Sequence, residues 1–309
     1  MNTHPNYIDL IEATKLKSAR RRDGYIAFSP DISVSTGNFS KLRDEFPTIQ
    51  FDSSNETEER RSIILERTGW KKEDFQGKLI LECGCGAGPD TEILCALGAS
   101  VVSVDLAGLD VAAKNLQQQI TEGKAFLVQA DLGDLPFKSQ VFDIVFCHRV
   151  IMHTPNPEHT LQEILKYVSD DGLIFVHSYA DTFFQVFRWK YFLLPLTRRL
   201  DPNFVFNTIK KNAKWLFKLS KLLFKFGKVG SYLNWVFVPF YNYSRKTTFE
   251  SKTEEFLIEY GIHDTFDALT PKYDKPLKFQ EAKKIVYERN LARQTNFYRD
   301  RYITLIRSK

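Results

Sequence analysis

Glu82-Cys83-Gly84-Cys85-Gly86-Ala87-Gly88 sets three glycines at alternate positions at the end of a short apolar run, Lys78–Cys83. Residues without a Cβ let the backbone turn sharply and come close to a bound molecule. A helix that starts there, over Pro89–Leu97, would add unpaired N–H groups. About twenty residues further on, Asp105 closes a second apolar run, at the distance where a carboxylate accepts hydrogen bonds from the hydroxyls of a ribose. These are the parts of a nucleotide-type cofactor site. The spacing is E-x-G-x-G-x-G, not the G-x-G-x-x-G of dinucleotide enzymes, which argues against a nicotinamide-dependent oxidoreductase.

The elements that must position these residues alternate. Apolar runs at Lys78–Cys83, Ser100–Asp105, Ala125–Gln129, Val141–Cys147 and Leu173–His177 read as strands. Helical patterns cover Pro89–Leu97, Gly108–Ile120 and Pro157–Val168, and another helix, ending at Gly69, precedes the first strand. Strands and helices at this spacing imply an α/β fold with a parallel sheet covered on both faces, whose ligands bind beyond the carboxyl ends of the strands. The pattern breaks after Ser178 for about a hundred residues and resumes with a helix at Phe279–Arg289 and a closing strand at Arg301–Ile306. The organisation expected is an N-terminal extension (1–55), a cofactor-binding core (56–180), a basic aromatic helical insertion (181–262) and a C-terminal completion of the sheet (263–309).

The glycine loop in this context resembles that of the class I S-adenosylmethionine-dependent methyltransferases, over about Gly69 to Ser178. Gln129-Ala130-Asp131-Leu132 after the third strand, Phe142-Asp143-Ile144-Val145 in the fourth, Met152-His153-Thr154-Pro155 and Asp171-Gly172-Leu173 are similar to the family's markers, with Met152 where the family has a first histidine. The resemblance implies a Rossmann-like, seven-stranded, mostly parallel sheet with helices on both faces and a helical insertion after the fifth strand. It implies S-adenosylmethionine as cofactor. Gly84, Gly86 and Gly88, with Cys85 among them, would line its methionine and ribose end, and Glu82 would orient the loop. Asp105 would hold the ribose hydroxyls, with Leu106 beside the adenine. Asp131 would receive the adenine amino group, with Leu132 on the ring, and His148 would sit by the methionine portion. The bland alternative for Asp131 is a turn acid before Gly133.

Methyl transfer aligns a nucleophile with the donor's methyl group, and a hydroxyl acceptor needs a base. His153, at the rim of the expected site, is the candidate catalytic base, because histidine accepts a proton near neutral pH. The competing reading is that His153 only packs the following turn. His177 and Tyr179 are weaker candidates for the base. No metal is implied: there is no CxxC pair, and His148, His153 and Asp131 form no recognised ligand spacing.

Charge is unevenly distributed. The net is +5, from 43 Lys and Arg against 38 Asp and Glu, yet residues 183–246 contain 13 of the cations and a single acid, Asp201. The same stretch holds 18 of the 43 aromatic residues. Over Asn207–Lys228 the lysines at 210, 214, 218, 221, 225 and 228 recur at helical spacing on one narrow face, and Gly227 is a plausible stop. Three readings compete: a solvated face over a local core, a helix lying on an anionic membrane surface, and a polyanion surface. The last ranks lowest, since no nucleic-acid fold signature accompanies it. Placed after the fifth strand, the insertion is the expected acceptor-recognising element.

Flanking segments narrow the family. Arg22-Asp23-Gly24-Tyr25-Ile26-Ala27-Phe28 resembles an Asp-Gly-Ile-Pro-Arg-Phe run that precedes the core in bacterial methyltransferases of sugar, glycan and natural-product pathways. Asp264-Thr265-Phe266-Asp267-Ala268-Leu269-Thr270-Pro271-Lys272-Tyr273 resembles a segment near their end. The competing reading is a polar loop with Phe266 and Tyr273 buried. The four cysteines read as reduced thiols. No signal-peptide pattern opens the chain and no apolar run is long enough to span a bilayer. The expectation is a cytoplasmic enzyme, with peripheral membrane contact through residues 207–228 as its variant. It methylates an oxygen of a sugar, glycan or related metabolite. A membrane-surface enzyme acting on a lipid or quinol, and a cofactor-binding protein without catalysis, are the alternatives.

Overall fold

The computed structural model describes residues 6–28, 41–180, 188–291, 293–300 and 302–308. Parts of the extension (1–5, 29–40), residues 183–187 of the basic block and Arg301 of the closing strand lie outside the described residues. The described chain divides into two compact units. One holds residues 6–28, 60–180 and those from 273 onward; the other holds 41–59 and 188–272.

The first unit is built on one sheet. Its strands are β1 (Arg20–Arg22), β2 (Tyr25–Ala27), β3 (Leu79–Cys83), β4 (Ser100–Asp105), β5 (Ala125–Gln129), β6 (Phe142–His148), β7 (Val168–Tyr179), β8 (Thr295–Arg299) and β9 (Tyr302–Arg307). They lie in the order β1-β2-β5-β4-β3-β6-β7-β9-β8. From β2 to β7 every neighbour is parallel, and β1 and the β8–β9 pair are antiparallel. The sheet therefore has nine strands where seven were expected. The two additional strands are a hairpin turned by Asp23-Gly24, with Gly24 at φ +80°, which adds its buried arm to the edge at β5. Gly24 also lies so close to the helix Leu109–Asn115 that a Cβ there would stand 2.7 Å from that of Ala113.

The strands are runs of Val, Ile, Leu and Phe because both faces are covered. On one face, Leu81, Val102, Val145 and Val176 pack under Leu161, Ile164, Ile285 and Val286. Those four come from the helices Pro157–Ile164 and Phe279–Glu288. On the opposite face, Ile80, Val101, Ile144 and Phe175 pack with Ile64, Ile93 and Leu94 of the helices Glu59–Thr68 and Pro89–Ala96.

The second unit is helical: Trp189–Thr197, Pro202–Phe224, Gly227–Phe237 and Glu254–Leu269. The long helix starts earlier than the lysine periodicity suggests, because Asp201 caps it by accepting from the Asn203 and Phe204 N–H groups, with Pro202 at the first turn. It ends at Phe224, and Gly227 at φ +63° opens the next helix. Lys228 thus belongs to that next helix, not to the lysine line. The unit's core is rich in phenylalanine: Phe206, Phe217, Phe240, Phe249 and Phe266 are completely buried.

Gly261 is closely packed in this unit. A Cβ there would lie 2.4 Å from the Tyr241 carbonyl oxygen, and backbone cannot swing aside as a side-chain tip does. Gly261→Ala is expected to cost about 2 kcal/mol despite alanine's better helix propensity, measured as a lower urea midpoint of the unfolding step that carries the tryptophan signal.

Candidate active site

The carboxyl ends of the strands carry a change of residue type on a single face. Alternation along a strand puts every second residue on the same side. On the Ile80–Phe175 side the apolar series gives way to Glu82 on β3, Ser103 and Asp105 on β4, His148 on β6, His177 and Tyr179 on β7, and Thr304 and Tyr302 on β9. Register aligns them: Glu82 opposes Ser103, His148 opposes His177, and His177 opposes Thr304. These polar residues stand next to the point where strand order reverses around β3, which is where open parallel sheets hold ligands.

The loop after β3 is shaped by its glycines in different ways. All three have positive φ: +82° at Gly84, +61° at Gly86 and +101° at Gly88. A Cβ at Gly84 would run into Val150 at 2.4 Å, and one at Gly88 into Leu116 at 2.6 Å. Those two are needed for packing. A Cβ at Gly86 would meet nothing within 4 Å, so the bare backbone there borders open space. The Asp105 carboxylate holds the loop in place: Oδ2 accepts from the Gly86 N–H at 2.8 Å and Oδ1 from the Leu106 N–H at 2.7 Å. A cradle with one open glycine beside a fixed carboxylate is a fit for the ribose and methionine end of the donor implied by the loop motif.

Glu82 is buried on β3, just before this loop. Its Oε2 accepts from Thr91 Oγ1 at 2.5 Å and Ser103 Oγ at 2.8 Å, pinning the following helix to the neighbouring strand. Burial, helped by the charge of Asp90, pushes its carboxyl up to about 8.

The His148 ring is buried. Arg67 Nη1, always a donor, gives a hydrogen bond to Nε2 at 2.5 Å, and Nδ1–H donates to Asp90 Oδ2 at 2.8 Å. Both ring nitrogens are occupied and the tautomer is fixed. Burial, reinforced by Arg67 and Arg149, pulls His148 down to about 4, so the ring is neutral. Arg60 Nε stands 3.4 Å from the other Asp90 oxygen. One carboxylate, Asp90, therefore faces Arg60 and Arg67, and Arg149 adds its own field. The cluster carries surplus positive charge. His177, paired through Nδ1 with Thr304 Oγ1 at 2.8 Å, has a buried Nε2 with no hydrogen-bond partner. Burial pulls it down to about 2. Arg67, Arg60 and Asp90 were missed in the sequence, although an acid at the second position of the helix after a glycine loop is a visible signal.

Asp131 forms a turn: its Oδ1 accepts from the Gly133 N–H at 2.8 Å, and the residue is exposed, with Leu132 buried beside it. Leu106 is half-buried and Cys85 buried. His153 sits in a short helical turn, Ile151–His153. Its Nδ1–H donates to the Tyr273 carbonyl at 2.9 Å, which leaves Nε2 as the basic nitrogen, and its ring meets that of Tyr179 edge-on at 6.2 Å.

Residues 81–176 match the model of a family described as "Methyltransferase domain". Over 112 residues the chain is 36% identical to the ubiquinone biosynthesis O-methyltransferase of Glaesserella parasuis, a match covering 33% of this chain and 45% of that one. Over 131 residues it is 26% identical to the protein of the same name from Pseudomonas fluorescens, covering 40% and 55%. The chain spans about half the length of these curated relatives. Among solved structures it is similar to a putative methyltransferase from Bacillus halodurans, at 21% identity and a TM-score of 0.38, covering 45% of this chain and 58% of that one.

The raised pKa of Glu82 has a stability consequence. The unfolded chain releases this proton near pH 4.5 and the folded chain near 8, so stability falls as pH rises through that window. Glu82→Gln removes the slope. Its stability relative to the parent is expected to increase between pH 5 and pH 8 by on the order of 2 kcal/mol, read by chemical denaturation at the two pH values.

Proposed function

We propose that the protein is an S-adenosylmethionine-dependent O-methyltransferase. The observation that carries this reading is the open cradle at Gly86, fixed to Asp105 and set at the switch point of a parallel sheet. When bound, S-adenosylmethionine supplies a methyl group made electrophilic by a sulfonium. The residues that would hold it are the Gly84–Gly88 backbone, Asp105 for the ribose hydroxyls, Leu106 and Leu132 for the adenine, and Asp131 for its amino group. The surplus positive charge around Arg67 suits the donor's amino-acid carboxylate. His148 and Asp90 then act as positioning residues, since they orient the Arg67 guanidinium through a fixed tautomer.

His153 Nε2 would take the proton of the acceptor hydroxyl. The Tyr273 carbonyl holds Nδ1–H and so keeps the basic nitrogen on the other side of the ring. Of the acceptor classes, a lipid-soluble phenol or quinol is favoured over a sugar. The curated relatives carry a ubiquinone-pathway name. In the 264–273 segment Phe266 is core, and the Tyr273 carbonyl accepts from His153.

Calorimetric titration with S-adenosylhomocysteine tests the donor site. Asp105→Asn is expected to weaken binding at least about tenfold, one good charge-assisted hydrogen bond's worth; unchanged affinity would refute the ribose placement. Isotope-labelled donor, offered with a short-chain quinol and with a sugar extract, identifies the acceptor. With that acceptor, His153→Gln is expected to lower kcat by about 10²–10⁴, and a variant with parental turnover across the pH range removes His153 as the base.

A further inference from the structure

Exposed apolar surface is concentrated in one part of the molecule. Of thirteen large apolar side chains exposed among the described residues, eleven lie between Phe192 and Phe237. They follow helical lines. In the helix Gly227–Phe237 and the residue before it, Phe226, Val229, Leu233 and Phe237 are spaced three, four and four apart, with Phe226, Val229 and Phe237 67%, 68% and 70% exposed. The same spacing that normally buries a helix face against a core here faces outward, and Gly230 is this helix's sole buried residue.

The long helix repeats the arrangement. Val205, Phe206, Ile209, Ala213, Leu216 and Phe217 are buried. Phe204, Trp215 and Leu222 are exposed. At about 100° per residue those three fall on one line within roughly 20°, extending about 27 Å along the axis. Lys210, Lys214, Lys218, Lys221 and Lys225 form the adjacent line, between the apolar line and the buried face. Lys221 is paired with Glu254, at 3.1 Å. Phe192 and Leu196 add a third exposed i, i+4 pair in the helix Trp189–Thr197. Residues 188–237 contain 11 Lys and Arg against one acid, Asp201.

From this we infer that residues 189–237 dock the protein on the surface of an anionic phospholipid bilayer. Aromatic and aliphatic side chains would enter the headgroup boundary while the lysine line meets the lipid phosphates. Charge complementarity favours this occupant over a second copy of the same basic surface, which would repel it. Separate apolar and cationic lines on one helix are the geometry of an interfacial helix, and among the described residues no helix is long and apolar enough to cross a membrane. The inference does not depend on the proposed reaction, because docking is read without donor or acceptor.

Flotation of the full chain with vesicles tests it. Phosphatidylcholine vesicles containing phosphatidylserine are expected to carry the protein up, and pure phosphatidylcholine vesicles to carry far less. Val229→Ser/Phe237→Ser is expected to reduce binding at least tenfold, and Lys214→Glu/Lys218→Glu by more than about fivefold per lysine; circular dichroism verifies that both variants stay folded. Sedimentation velocity runs alongside. Absence of binding to anionic vesicles overturns the inference, as does binding that neither variant weakens. A dimer that the serine substitutions dissociate would assign the surface to a second copy and overturn it equally.

Discussion

A single carboxylate joins the two loops on which the site is built. Asp105 accepts from the Gly86 N–H with one oxygen and from the Leu106 N–H with the other, tying the turn after β3 to the turn after β4. Charge-assisted hydrogen bonds of this kind are roughly twice as strong as neutral ones. They matter here because Gly86 has no side chain to hold it and lies at positive φ. An alanine at Gly84 or Gly88 would collide with Val150 or Leu116. The loop is therefore packed at its two ends and electrostatically held in the middle, and the middle is where the backbone is open.

Beneath that loop the same sheet face holds several ionisable groups that burial has made neutral or paired. Glu82 favours its protonated form, and His148 and His177 their uncharged ones. Asp90 keeps its charge, held well below the usual carboxylate range by Arg60, His148 and Arg67 against the opposing effect of burial. Removing charge from a dry interior avoids a desolvation cost of several kcal/mol per ion.

The parallel core was legible because its strands are continuous apolar runs with both faces covered, and because the glycine loop and Asp105 are local patterns. The β1–β2 hairpin was not recognised, although Asp23-Gly24 is a strong turn signal. Its exposed arm is Arg20-Arg21-Arg22, which carries no apolar alternation to mark a strand. Strand β8 (TNFYR) is hidden for the same reason. In the site, Asp105 stood out by spacing, but Arg67 and Asp90 are 23 positions apart and are joined through His148. No periodicity marks a contact made by three separate elements. The lysine line was visible, while the exposed Phe204–Trp215–Leu222 line beside it was not, because apolar residues look alike in a sequence whether a partner covers them or not.

The tautomer of His153 shows the same dependence on distant chain. A histidine can act as a base only at the nitrogen that lacks a proton, and nothing within residues 150–155 determines which one that is. The Tyr273 carbonyl, 120 positions away, decides it by accepting from Nδ1–H. Lys275 strengthens the connection twice, its N–H donating to the Met152 carbonyl and its Nζ to the Pro155 carbonyl at 2.6 Å. The segment that returns the chain to the sheet after the helical unit is thus the clamp on the candidate base. The chain at Tyr273 thus supplies a backbone oxygen at a fixed place, and the turn after β6 supplies the ring that this oxygen orients.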